Sequence, residues 1–269
     1  METIGIIGAL NEELSALRRF VDVRSAQTIS GFSFIAGTLE ERPVVIAQTG
    51  IGKVNAALCT QILISDFHVD KLLFIGVGGG LNRSLEVGDT VVSTATIQHD
   101  LDLTVFGRAL GEAPTPFAGD ETSCPVSRTV RFAPADPEMI ATVQAAYAKL
   151  PAEFRTKKLI PGLIASGDTF ISLTNYSDSY TEADILKSTY SAYLIKRLRM
   201  DIGADCVEME GAAFGYVCMA AGKPFVVVRC ISDLAGVKAD VQFDQFVAVS
   251  SEILAQLAVG FVREMALRK

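Results

Sequence analysis

Six strand-like runs, most of them continuously apolar, alternate with helix-like segments along this chain, and that alternation leaves few architectures open. The runs are Ile4 to Ala9, Val44 to Thr49, Leu72 to Val77, Thr90 to Ile97, Leu159 to Ala165 and Phe225 to Ile231. Strands without a polar alternation are strands covered on both faces, as in sheets flanked by helices. The segments between them, Asn11 to Phe20, Lys53 to Ser65, Pro137 to Lys149, Gly211 to Ala221 and Phe243 to Leu267, carry helical patterning. The order predicts one α/β layer structure. With no internal repeat and no Pro/Gly/Ser-rich linker, residues 1–269 read as a single domain. The least regular stretches are longer excursions near residues 100–135 and 172–205; the second holds a Ser/Thr/Tyr/Asp-rich loop before a helix expected from about Glu182 to Arg199. Such excursions are either substrate lids or surface decoration.

Composition narrows the classes of function. A chain of 269 residues can bury about three-quarters of its unfolded surface, and 49% hydrophobic residues point to buried strands and a sizeable subunit interface. No apolar run approaches the ~18 residues of a membrane span, and no basic, small-residue leader precedes the first strand, so a cytoplasmic protein is expected. The five cysteines, Cys59, Cys124, Cys206, Cys218 and Cys230, are far apart, and His68 and His99 are the only histidines; structural disulfides and a metal site are not expected. A net charge of −7 without a dense basic cluster argues against nucleic acid and for a small-molecule partner.

Read one at a time, the motifs leave two readings each. Gly76, Gly78, Gly79 and Gly80 after an apolar strand suit either a tight turn or a close backbone approach to a ligand, and neither they nor Gly50-Ile51-Gly52-Lys53 match a dinucleotide or Walker fingerprint. Val207-Glu208-Met209-Glu210 places carboxylates where a strand meets a helix, either to accept ribose hydroxyls or merely to favour a helix first turn. Arg229, inside an apolar strand ending in Ser232-Asp233, needs an acidic partner, with Glu13 and Glu210 as candidates. Glu13 itself either points over the sheet end or decorates a helix start.

In order along the chain, Ile6-Ile7-Gly8-Ala9-Leu10-Asn11-Glu12-Glu13, Thr49-Gly50-Ile51-Gly52-Lys53-Val54, Gly78-Gly79-Gly80-Leu81, Val87-Gly88-Asp89, Ser166-Gly167-Asp168-Thr169-Phe170-Ile171, Val207-Glu208-Met209-Glu210 and Ser232-Asp233 resemble the 5′-methylthioadenosine/S-adenosylhomocysteine nucleosidases of the purine nucleoside phosphorylase superfamily. The resemblance implies a three-layer αβα sandwich with a central mixed β-sheet, a homodimer, and no metal or organic cofactor. It also implies roles. Asp233 is the general acid at purine N7, oriented by Ser232; Glu13 orients and deprotonates water, with Arg229 nearby. Met209 and Glu210 clamp the ribose, Phe170 stacks on the base, the Ile171 backbone reads its edge, and Gly79 approaches it. Ile51 and Phe243, with Leu103, Phe106 and Pro114 from the neighbouring subunit, form an apolar wall around a 5′-alkylthio tail. The Ser-Asp tip favours adenine over 6-oxopurines.

The sequence departs from the family at Val77, where the bacterial enzymes commonly carry Ser, and in added length at about 119–132 and 172–205. Two other functions stand beside hydrolysis: a phosphorylase, whose phosphate Glu13 would repel, and a catalytically silent nucleoside-binding protein.

Overall fold

A computed structural model describes residues 1–115, 129–155, 157–172, 190–236 and 239–267. Strand β1 (Ile4–Gly8) leads into helix α1 (Asn11–Arg18), strands β2 (Asp22–Ile29), β3 (Phe32–Leu39) and β4 (Arg42–Gln48), helix α2 (Lys53–Ser65), and strands β5 (Lys71–Gly80) and β6 (Thr90–Gln98). The short strands β7 (Ala113–Pro114), β8 (Thr129–Val130) and β9 (Ala133–Pro134) precede α3 (Pro137–Ala148), β10 (Leu159–Ser166), α4 (Tyr190–Arg197), β11 (Cys206–Glu208), α5 (Gly211–Ala220), β12 (Phe225–Asp233) and α6 (Ala239–Leu267). Most of the added length expected at 119–132 and 172–205, and the expected start of a helix at Glu182, lie outside the described residues.

The strands form a mixed sheet in the order β11-β10-β6-β12-β5-β1-β4-β3-β2. β1 runs parallel to both β4 and β5, and β5 parallel to β12, so the fully buried strands are the apolar ones. Helix α6 packs against α1 and α3, and α2 against α5, with the sheet between the two groups; this is the expected three-layer αβα arrangement.

Strands β2 and β3 are not among the six runs read from the sequence: β2 carries no apolar period, and the apolar residues of β3, Phe32, Phe34, Ile35, Ala36 and Leu39, form no continuous run. β2 (DVRSAQTI) is exposed along nearly its whole length at the sheet edge. A two-residue turn pairs it with β3, with Ser30 at φ 51° and Gly31 at φ 86°, the left-handed pair that joins twisted antiparallel strands.

The glycine run at the end of β5 is not a turn. The strand continues to Gly80, beyond the expected end at Val77, and there β11 pairs with it antiparallel, Val207 opposite Gly79 and Cys206 opposite Gly80. A methyl group on Gly78 would stand 2.7 Å from Cys206 Sγ, so absent side chains let β11 come this close. The pairing closes β5, β12, β6, β10 and β11 into a ring. The ends of β5, β11 and β12 thereby meet at one place, and the chemistry of the chain collects there.

Candidate active site

Residues from these strand ends, from the loop after β1, from the loop before α2 and from α6 enclose a cavity of about 160 Å³. Its charged lining among the described residues is acidic: Glu13, Glu208, Glu210 and Asp233.

Glu13 is the third residue of α1, where a glutamate can reach back to N–H groups at the helix start. One carboxylate oxygen accepts from the N–H groups of Ala9 (2.7 Å) and Leu10 (2.9 Å), and the other from Val77 N–H (3.0 Å). Three backbone donors from two strand ends therefore fix a side chain that is buried. Burial pushes its pKa above the ordinary 4.5, opposed by Arg229 and by those three N–H groups. Glu13 points over the sheet end and does not decorate the helix. Val77 serves it through the backbone, so a valine there leaves this hydrogen bond intact.

Asp233 ends β12. Ser232 Oγ donates to one of its oxygens (2.9 Å) and Ala235 N–H to the other (2.8 Å). A Cβ at Gly79 would lie 3.0 Å from that second oxygen, which explains why β5 presents a glycine to this carboxylate.

Arg229 lies behind the cavity, not on its wall, and is fully buried. Its guanidinium sits over the Phe74 ring at 4.4 Å, and Nη2 donates to Glu208 Oε2 in a short contact and to Glu210 Oε2 at 3.5 Å. Glu13 forms no ion pair with it among the described residues, so the expected partner set is corrected: the principal counter-ion is Glu208. Glu208 also accepts from Ser166 Oγ, from Glu210 N–H (3.1 Å) and from Gly211 N–H (2.8 Å). Glu210 accepts from Gly52 N–H at 2.9 Å, and burial together with the neighbouring Glu208 raises its pKa.

The sequence profile of the phosphorylase superfamily matches residues 3–263. A 5′-methylthioadenosine/S-adenosylhomocysteine nucleosidase of Anoxybacillus flavithermus is 37% identical over 260 residues, covering 96% of this chain and 97% of the relative. The chain belongs to the phosphorylase superfamily and its methylthioadenosine/S-adenosylhomocysteine nucleosidase family. Among solved structures, the Neisseria meningitidis nucleosidase in complex with methylthio-immucillin-A superposes with a TM-score of 0.81 at 31% identity, over 98% of this chain and 99% of that one. The native futalosine hydrolase of Helicobacter pylori also superposes, with a TM-score of 0.77 at 30% identity and 98% coverage of each chain.

In this nucleosidase-family chain, the cavity brings together Glu13, Ile51, Gly79, Phe170, Ile171, Met209, Glu210, Ser232, Asp233 and Phe243. Phe170 and Phe243 meet edge to face, with centroids 5.6 Å apart. Leu103, Phe106 and Pro114 do not line it in the same protomer; Phe106 and its neighbour Val105 are 77% and 84% exposed. The resemblance implies no role for Glu208 or Ser166, although both stand in the quoted motifs. Their signal was position: each is the last residue of its strand, adjacent in register on β10 and β11. No group of three His, Cys, Asp or Glu residues is arranged to hold a metal among the described residues, and the described cysteines Cys59, Cys206, Cys218 and Cys230 are unpaired and buried.

The space for Arg229 depends on Gly76. A Cβ there would stand 1.9 Å from Arg229 Nη1 and 2.7 Å from Glu13 Oε1, and Glu208 and Phe74 hold the guanidinium in place. Gly76→Ala is expected to destabilise the fold by about 1–3 kcal/mol, the usual range for overpacking, and to displace Glu13. A thermal midpoint and turnover both equal to the unsubstituted protein's would show that the guanidinium can shift freely.

Proposed function

We propose that this chain hydrolyses the N-glycosidic bond of 5′-methylthioadenosine, S-adenosylhomocysteine or a closely related 6-aminopurine nucleoside, releasing adenine and the thioribose sugar. The observation that carries the reading is a pair of buried carboxylates set against one strand, Glu13 at Val77 and Asp233 at Gly79. Two residues of strand place these anchors ~7 Å apart. Glycosidases that invert configuration likewise set an acid and a base on opposite sides of the sugar, with room for water between.

Asp233, oriented by Ser232, protonates purine N7 as the bond breaks, so the base leaves neutral. Glu13 takes the proton of the attacking water. Glu210 accepts the ribose hydroxyls beside Met209 and faces the positive charge that grows on the sugar. Arg229 acts through Glu208 and Glu210, whose positions it fixes. Gly79, Phe170 and Ile171 hold the base, with Phe170 stacking on it and the Ile171 backbone at its edge, while Ile51 and Phe243 give the 5′ substituent an apolar wall. In a homodimer, Leu103, Phe106 and Pro114 of the second subunit would complete that wall; the exposure of Phe106 supports this reading. The chain acts on a small molecule, with neither nucleic acid nor membrane as partner; a net charge of −7 and a cavity whose charged lining among the described residues is acidic support this reading.

Phosphorolysis would bring an anion against an acidic cavity, which does not favour it. The deciding experiment is adenine release from 5′-methylthioadenosine, S-adenosylhomocysteine, adenosine, inosine and AMP, each with and without phosphate. Phosphate-independent release from the thio-nucleosides is expected. Release that requires phosphate and yields a sugar 1-phosphate would assign a phosphorylase, and binding without release a silent nucleoside-binding protein.

The pH profile follows from Glu13. As a base it must be ionised, and burial raises its pKa above 4.5; kcat/KM is therefore expected to fall on acidification along a limb centred above pH 4.5. Glu13→Gln should abolish turnover at every pH. A normal rate in that variant would remove Glu13 from the mechanism.

A further inference from the structure

We propose that Asp100 is a positioning residue that ties the base-binding wall of the cavity to the sugar-binding wall. The roles of the two walls rest on the function proposed above; the tie itself is a matter of geometry.

Asp100 follows β6 and stands outside the cavity lining. Its Oδ1 accepts from Lys53 Nζ at 2.5 Å, and its Oδ2 from Asp168 N–H at 3.0 Å. Asp168 closes the loop: its Oδ1 accepts from Lys53 N–H at 3.0 Å, and its Oδ2 lies 3.7 Å from Lys53 Nζ. The preceding N–H, that of Gly52, donates to Glu210 Oε1 at 2.9 Å. Two consecutive N–H groups at the start of α2 thus divide their work. One holds the carboxylate assigned to the ribose, and the other holds the loop that carries Phe170, two residues beyond Asp168.

The same loop is seated from below. A Cβ at Gly167 would stand 2.3 Å from Nε2 of the buried His99, so Gly167 lies flat on the residue next to Asp100. Ile51, on the α2 side of the tie, lines the cavity as well. Displacing Asp100 therefore moves the base loop, the Gly52 donor and the Ile51 wall together.

An ordinary surface ion pair would carry no such consequence, because exposed pairs contribute little. This one differs in two respects. The Lys53 and Asp100 side chains are only 17% and 31% exposed, and the Asp100 carboxylate makes directed bonds to two segments far apart in sequence. Held geometry of this kind acts on how tightly substrate is gripped, since walls fixed before binding spare the ordering cost that loose walls would charge against affinity.

The experiment compares Asp100→Ala, Asp100→Asn and Lys53→Met with the unsubstituted protein in three measurements: kcat and KM for 5′-methylthioadenosine, calorimetric affinity for free adenine, and thermal midpoint. Asp100→Ala should raise KM and weaken adenine binding by a similar factor, roughly tenfold, while kcat changes by less than about threefold, the pattern of lost uniform binding. Asp100→Asn, which keeps one acceptor, should fall between, and Lys53→Met should move the same constants in the same direction. Combining Asp100→Ala with Lys53→Met should add little to Asp100→Ala alone, because both break one network. The proposal is overturned if KM and adenine affinity stay within about twofold of the unsubstituted values, or if only the thermal midpoint and the active fraction fall. Should Asp100→Ala not fold, Asp100→Asn and Lys53→Met decide by the same criteria. If the unsubstituted protein releases no adenine from 5′-methylthioadenosine, the substrate reading fails, and adenine affinity across the variants still tests the tie.

Discussion

Asp233→Asn is expected to lower kcat for adenine release by about 10²- to 10⁴-fold, the usual contribution of a general acid, while KM and the thermal midpoint stay close to those of the unsubstituted protein. Asparagine matches aspartate in shape, and its carbonyl oxygen can accept the 2.8 Å hydrogen bond from Ala235 N–H that now holds the carboxylate. Its amide can still donate a hydrogen bond toward a purine nitrogen, so the bound geometry survives. What it lacks is a transferable proton, and without one the base must depart as an anion. The loss should therefore appear in kcat, with substrate bound but uncleaved. Steady-state kinetics with 5′-methylthioadenosine, with folding checked by thermal melting, makes the test. A variant that retains more than about a tenth of the rate would mean that N7 is protonated from elsewhere, against the general acid assigned here.

Much of this architecture was legible because the buried parallel strands announce themselves. Ile4–Gly8 and Phe225–Asp233 are covered on both faces and read as continuous apolar runs. The edge strand Asp22–Ile29 could not be read, since an exposed strand needs no apolar residues and its ladder is made by the backbone. In the site, the motif residues Glu13, Glu210 and Asp233, far apart in the chain, line one cavity. Partner assignments were harder. Glu13 and Glu210 were the natural counter-ions for Arg229 in one dimension, yet the register of β10 with β11 brings Glu208 and Ser166 together, and Glu208 takes the guanidinium. The tie between Lys53, Asp100 and Asp168 joins three loops whose proximity exists only after the ring of strands has closed. Pairing between distant loops follows from topology, which local patterning does not encode.

Glu208→Ala is expected to produce the largest loss of stability of any single change in the site, about 3–5 kcal/mol, as when one partner of a buried ion pair is removed. Domains of ordinary stability have only ~5–15 kcal/mol in total, so the variant should unfold at markedly lower temperature and denaturant concentration. The magnitude follows from what Glu208 satisfies: the Arg229 guanidinium, the Ser166 hydroxyl and the N–H groups of Glu210 and Gly211, all buried. Some compensation is built in, because Glu210 Oε2 already lies 3.5 Å from the same Nη2. Relieved of repulsion from Glu208, Glu210 should ionise more readily and move toward Arg229, loosening its 2.9 Å hydrogen bond from Gly52 N–H. Surviving folded protein should accordingly bind nucleoside more weakly. The decisive control is the double variant Glu208→Ala with Arg229→Met, which removes the stranded charge and keeps an apolar stem over Phe74. If the uncompensated guanidinium is the cause, the double variant should be more stable than Glu208→Ala alone, measured by denaturant unfolding. Equal or lower stability would place the loss in the hydroxyl and backbone hydrogen bonds that Glu208 accepts, and would leave Arg229 a bystander to the fold.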